Sequence, residues 1–153
     1  MPEFVPVAEL PGYVGRELPP SDWLKITQDR VNQFADATND HQFIHVNRLK
    51  AKFTPFGGTI AHGFLSMSLL SHLNEQHIVV PEGTVMSVNY GSNRMRFLKP
   101  VRVGKRIRSH QKVVDITEKK PKQWLLTVEV SVEIEGEDTP AMIAELLALF
   151  IVK

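Results

Sequence analysis

From Trp124 to Ile134 every second residue is large and apolar: Trp124, Leu126, Val128, Val130, Val132 and Ile134. The intervening set ends in Glu129, Ser131, Glu133 and Glu135. A period of two over this length suits only a β-strand with one buried and one wet face, so residues 123–135 belong to a sheet covered on one side. What covers it has to come from the same chain or from a copy of it. The only other strongly apolar run ahead of the strand region is 64-FLSMSLLSHL-73. It carries apolar residues on almost every side, which predicts a helix beginning near Ala61-His62-Gly63 and buried all round.

The elements around these two follow from local signals. Thr84–Phe97 and residues 105–117 read as strands. Met142 to Val152 is almost continuously hydrophobic and follows the turn-like Glu135-Gly-Glu-Asp-Thr-Pro140, which predicts a central strand paired with 123–135. Pro6, Pro11, Pro19 and Pro20 break the first 21 residues, leaving room for a short strand around Val14–Leu18. A second short strand is expected within Ser21–Ile26. Thr27 suits a helix N-cap, with Ile26 and Val31 as a hydrophobic staple. Val31, Phe34, Ala35 and Thr38 then share one face of a helix ending near Asn39. Residues 39–58 form a long connection with a helical turn around Asn47–Lys52, and long connections in compact chains are commonly functional. Helices first and antiparallel strands after them predict an α+β fold, and 153 residues suffice for one domain over 1–153.

Composition narrows the chemistry. The chain has no cysteine, which removes disulfides, thiolate nucleophiles and Cys-ligated metals and fits a reducing, cytoplasmic setting. Eighteen Lys and Arg against seventeen Asp and Glu leave a net charge of +1, so no anionic partner is demanded globally. Neither a signal peptide nor a membrane span is expected, because the apolar stretch Gly57–Leu73 is interrupted by His62, His72, glycines and hydroxyl residues.

Three placements of polar residues stand out. Asp40 and His45 lie five apart in Asn39-Asp-His-Gln-Phe-Ile-His45, a segment with no regular pattern, and a carboxylate and an imidazole turned toward one point can hold a water and move protons. The plainer alternative, favoured by spacing alone, is that Asn39 and Asp40 cap the helix end while the histidines are solvated. Gly57-Gly-Thr-Ile-Ala-His-Gly63 precedes the apolar helix, whose free N–H groups can receive a developing oxyanion; an ordinary glycine-containing loop is the alternative. Between Arg94 and Lys122 stand eleven basic residues and two acids, Asp115 and Glu118, a local +9. A solvated strand face balanced by the acidic 129–145 stretch explains it best, ahead of a coenzyme phosphate and of nucleic acid, since no aromatic platform is interleaved. His41 and His45 stand at i, i+4 as in H-E-x-x-H metalloproteases, but the glutamate is missing and no metal is expected.

Taken together, Phe34-Ala-Asp-Ala-Thr-Asn-Asp-His-Gln-Phe-Ile-His45, Ala51 and Phe56-Gly-Gly-Thr-Ile-Ala-His-Gly63 resemble the MaoC-like dehydratases, the (R)-specific enoyl-CoA hydratase group. Asn89-Tyr-Gly91 and Arg96-Phe-x-x-Pro-Val-x-x-Gly104 are similar to its nodulation protein N-like branch. Asn39 stands where the family motif has glycine, and Gln42-Phe43 where it has Asn-Pro. The resemblance runs from about Leu24 to the C-terminus. It implies a hot-dog fold, an antiparallel sheet around a long helix, and a homodimer. It also implies reversible hydration of trans-2-enoyl thioesters to (3R)-hydroxyacyl thioesters, within fatty-acid metabolism. Asp40 and His45 match the family's catalytic pair, Gly63 the residue whose backbone N–H forms the oxyanion hole, and Ser71 a substrate-binding serine of some members. No cofactor is implied beyond the coenzyme A of the substrate, which acyl carrier protein can replace; neither nucleic acid nor membrane is an expected partner. Hot-dog folds also host thioesterases and acyl-thioester binding proteins, so both remain as alternatives.

Overall fold

The alternation seen at Trp124–Ile134 becomes the middle of a sheet. In the computed structural model, which describes all residues from Met1 to Lys153, Leu126, Val128, Val130, Val132 and Ile134 are buried and Glu129 on the opposite face is exposed. The elements in chain order are β1 (Glu3–Val5), a 3₁₀-helix (Val7–Tyr13), β2 (Glu17–Leu18), β3 (Leu24–Lys25) and α1 (Gln28–Thr38). Then come α2 (Phe43–Val46), α3 (Arg48–Lys52), α4 (Gly63–Glu75), β4 (Val79–Pro81), β5 (Thr84–Phe97), β6 (Arg106–Lys120), β7 (Gln123–Ile134) and β8 (Met142–Val152). The main sheet is antiparallel in the order β2-β6-β7-β8-β5, with β3 also on β6, while β1 and β4 form a small parallel pair. β6 runs past the expected 117 because its hairpin with β7 keeps pairing to Lys120 opposite Gln123. β8 is interior, between β7 and β5, which accounts for its nearly unbroken apolar run.

The sheet curves round α4. Leu65, Leu69, Leu70 and Leu73 on one side of that helix join β6, β7 and β8 residues in one cluster of 24 buried side chains. Each such leucine contributes about 1.5–3 kcal/mol by leaving water. This is the hot-dog arrangement in an α+β chain.

Four expectations need correcting. First, α4 is not buried all round. Phe64, Ser68, Ser71, His72 and Glu75 are exposed, Phe64 to 64%, because one curved sheet reaches only one side of a helix. Second, Val14–Leu18 yields only the two-residue β2; the prolines ahead of it favour the 3₁₀-helix, which contains Pro11. Third, the His45 segment is regular: Phe43–Val46 makes one helical turn. Fourth, the connection holds two short helices rather than one turn.

Other expectations hold. Thr27 caps α1 by accepting from the Arg30 N–H at 3.2 Å. Asn39 closes it at φ 58°, in the left-handed region that asparagine tolerates. The basic run between Arg94 and Lys122 meets acids across the strands: Arg108 bonds Glu133 at 2.6 Å, Lys99 bonds Glu137 at 2.5 Å, and Arg106 pairs with Glu135. No helix is long and apolar enough to cross a membrane.

One strand stays unfinished. β5 pairs only with β8 and shifts register three times. Its outer edge is free, and Val85, Met86, Val88 and Tyr90 are exposed along it. It borders the open side of α4, where Asn89 Nδ2 lies 3.4 Å from Ser71 Oγ.

Candidate active site

Two segments fifteen residues apart are sewn together by backbone groups. The Ile60 N–H donates to the Ile44 carbonyl at 3.0 Å, and His45 Nδ1 lies 2.8 Å from the Ile60 carbonyl. Gln28, first residue of α1, ties in a third: its Nε2 donates to the His45 carbonyl at 2.7 Å, and its Oε1 accepts from Thr59 Oγ1 at 2.6 Å. The turn of α2 is therefore clamped on both sides, and the His45 side chain is 7% exposed.

That clamp sets the chemistry of His45. A carbonyl only accepts, so Nδ1 carries the ring proton and Nε2 keeps a free lone pair. Burial lowers the pKa of His45 below 6.5; the hydrogen bond to Ile60 opposes this, His62 adds to the lowering, and Asp40 opposes it. Desolvation dominates, so at neutral pH the ring is uncharged and basic.

Asp40 follows Asn39 at the end of α1. Its N–H donates to the Ala35 carbonyl at 3.1 Å, and its half-exposed carboxylate accepts from the Gln42 N–H at 3.4 Å. This combines both readings of the sequence: Asn39 and the Asp40 backbone close the helix, while the Asp40 side chain turns back toward the histidines. One polar atom from each of Asp40, His45 and His62 lies within 4.8 Å of the others.

Gly63 opens α4. The residue before it, His62, gives no side-chain cap, and the Gly63 N–H makes no hydrogen bond within the chain. A cavity of about 300 Å³ reaches His45, Gly63, the buried Ser66 and the ring of Phe97. A Cβ at Gly63 would stand 2.8 Å from that ring, so the approach of Phe97 requires glycine here. An uncapped helix start with a free N–H in an apolar cavity attracts developing negative charge.

Not every candidate joins this group. Ser71 is exposed, lies about 12 Å of helix rise beyond Gly63, and does not line the cavity. His41 is exposed and bonds Asp36 at 2.8 Å, so the i, i+4 histidines do not converge. His62 and Ser66 are buried at the site; His62 lies within the motif that carries the resemblance but was given no role there, and a serine in an apolar helical run carries no spacing signal. Asp40, His45 and His62 are the natural donors for a metal, yet the two rings stack face to face at 3.8 Å with 24° between planes. Lone pairs of stacked rings run side by side rather than toward one ion, so the geometry does not fit a metal centre. A larger cleft of about 430 Å³ on the sheet, between Glu17, Arg94, His110 and Glu129, contains none of these residues.

The MaoC like domain matches residues 10–135. A 3-hydroxyacyl-thioester dehydratase Z of Mycobacterium tuberculosis is 42% identical over 99% of both chains. Nodulation protein N of Rhizobium leguminosarum bv. viciae is 42% identical over 94% of this chain and 89% of its own. Among solved structures, an (R)-hydratase from A. caviae involved in PHA biosynthesis superposes with a TM-score of 0.71 at 25% identity, covering 88% of this chain and 94% of that one. A family match across most of the chain and near-full-length relatives at this identity make the chain a member of the MaoC-like domain family and a hydro-lyase of its hydratase/dehydratase class.

Proposed function

We propose that this protein catalyses the reversible addition of water to trans-2-enoyl thioesters, giving (3R)-hydroxyacyl thioesters. The observation that carries the reading is one cavity holding both a neutral imidazole with a free Nε2 and an unpaired N–H at a helix start. Water adds to C3 of an enoyl thioester only if a base takes its proton and a donor stabilises charge on the thioester oxygen. His45 Nε2 is the base. Asp40 accepts the second hydrogen of the same water and orients it.

The steps balance with these groups alone. A water O–H bond breaks, its proton goes to His45, and the oxygen bonds C3. The C2–C3 π electrons move to the thioester oxygen, which the Gly63 N–H receives. The imidazolium then returns its proton to C2. No cofactor is needed beyond the coenzyme A or carrier arm of the substrate. The relative named for 3-hydroxyacyl thioesters supports that substrate class. The reading includes a homodimer, because the free apolar edge of β5 and the open side of α4 form one continuous uncovered seam. Ser71 sits on that seam and meets substrate only if a partner completes the site. Light scattering at micromolar concentration is expected to give a dimer, and a monomer would refute that part.

The direct test is a chain-length series of trans-2-enoyl-CoA substrates with chiral analysis of the product. Loss of enoyl absorbance with a (3R) product and no free thiol is expected. Release of free coenzyme A would make the protein a thioesterase, and absence of turnover across the series would make it a binding protein.

A further inference from the structure

His62 takes no part in the scheme above, yet it touches both members of the pair. It is 3% exposed, with its ring stacked on His45 and tilted against Phe34 at 4.9 Å. Nε2 lies 3.0 Å from the backbone carbonyl of Asp40 and 4.0 Å from the Asp40 carboxylate. Because a carbonyl accepts only, Nε2 carries the proton. Nδ1 is then left buried without any partner. An unpartnered buried polar atom is destabilising, because it loses water without gaining a partner. A phenyl ring would give the same stacking without that cost, so packing alone does not account for a histidine here.

The difference between the two rings is the N–H to Asp40. Asp40 lies just beyond the left-handed Asn39 and its side chain is half-exposed; its backbone is held by its N–H on Ala35 and its carbonyl under His62, and its carboxylate only by a long contact from the Gln42 N–H at 3.4 Å. Removing the contact to His62 frees the peptide to turn and carries the carboxylate away from the water it orients. Misplacement of a reacting group by about 1 Å can cost on the order of a hundredfold in rate.

We propose that His62 is a positioning residue for the acid–base pair: its Nε2–H fixes Asp40 through the backbone, and its ring sets the plane of the His45 imidazole. This rests on the reading of Asp40 and His45 as the pair. The titratable groups around the two rings are Asp40 from the loop after α1 and Lys99 at the far lip of the cavity; Phe34 of α1 is apolar. His62 also works against a positive charge on His45, which gives the proposal a reporter in solution.

Two substitutions divide the roles. His62→Phe keeps the ring and removes the donor; His62→Gln keeps an N–H near the Nε2 position and removes the ring. Steady-state hydration of a trans-2-enoyl-CoA, its pH profile and thermal unfolding are measured for both and for the unaltered protein. His62→Phe is expected to lose at least about tenfold in kcat with KM little changed, and His62→Gln to retain clearly more of it. In both, the acid limb of kcat/KM moves to higher pH, because His45 no longer faces a second imidazole. Should His62→Phe fail to fold, the limb of His62→Gln decides the matter. Unchanged kcat and limb in both variants, a loss confined to KM, or a His62→Gln as slow as His62→Phe would overturn the proposal. An unaltered protein without hydratase turnover refutes the reading of the pair itself, a different result from turnover indifferent to His62.

Discussion

Three places in this chain bring a carboxylate against an imidazole, and two of them, His110–Glu133 and His62–Asp40, are built in opposite ways. On the outer face of β6 and β7, Glu133 accepts from Arg108 Nε and faces His110 Nε2, both at 2.6 Å. Arg108 first and His110 second hold the Glu133 carboxyl below its usual range. All three side chains are partly exposed, and the Glu133 and Arg108 charges are neutralised where they stand. At α2 and α4 the contacts are looser: Asp40 Oδ2 is 4.0 Å from His62, His45 Nε2 has no partner, and the Gly63 N–H has none either. A short acid–imidazole contact therefore marks finished electrostatics. Reactivity belongs where polar groups are held firmly by one atom and left open at another, out of bulk water.

Substitutions at the two places separate them by size of effect. Asp40→Ala and His45→Ala are each expected to reduce hydration turnover by at least about a hundredfold, with the double variant little worse, because both act on one water. Steady-state kinetics on all three variants checks this, and additive losses would break the pairing. Gly63→Ala comes next. Its Cβ would meet the Phe97 ring at 2.8–2.9 Å, costing about 1–3 kcal/mol by overpacking and shifting the N–H. Thermal unfolding should report the destabilisation, and kcat about a tenfold fall.

The pH dependence sharpens the contrast. His45 has its folded pKa lowered, so hydration should be complete above that value and fall as pH drops through it, with the limb below 6.5. A kcat/KM profile with its acid limb above 6.5 would contradict the assignment. The surface ion pair behaves differently. Glu133→Gln should leave turnover unchanged and cost up to about 1 kcal/mol of stability. Because the folded Glu133 pKa is depressed, that stability is present above the unfolded value near 4.5 and is lost as pH falls through the folded one. Denaturant melts of both proteins at pH 7 and pH 3 should diverge and then converge. The smallest effect is expected from His41→Ala, within a few-fold of normal turnover, since His41 faces only the exposed Asp36. A crippling His41→Ala beside a benign His45→Ala would mean the pair is wrongly assigned.

Much of this molecule was legible in advance because its elements carry strong local periods. The alternation at Trp124–Ile134, the cap at Thr27 and the apolar run at Met142–Val152 each specify a conformation through contacts a few residues long, and the observed β7, α1 and β8 follow them. The motif around Asp40 and His45 was equally visible, because the resemblance rests on residues close together in the chain. The role of His62, Ser66 and the turn of α2 were not, and neither was the open side of α4.

Sequence by itself determined the alternation that becomes β7, the cap that starts α1 and the apolar run that becomes β8, and the family resemblance implied an antiparallel sheet around a helix. Tertiary structure alone decided which polar groups converge. The Ile44–Ile60 and His45–Ile60 bonds bring α2 to the start of α4, and the 22-residue step from Asp40 to His62 is closed by a single N–H on a carbonyl. A local pattern records how much of an element must leave water. It does not record which distant element provides the cover, and that choice fixes which lone pair stays free.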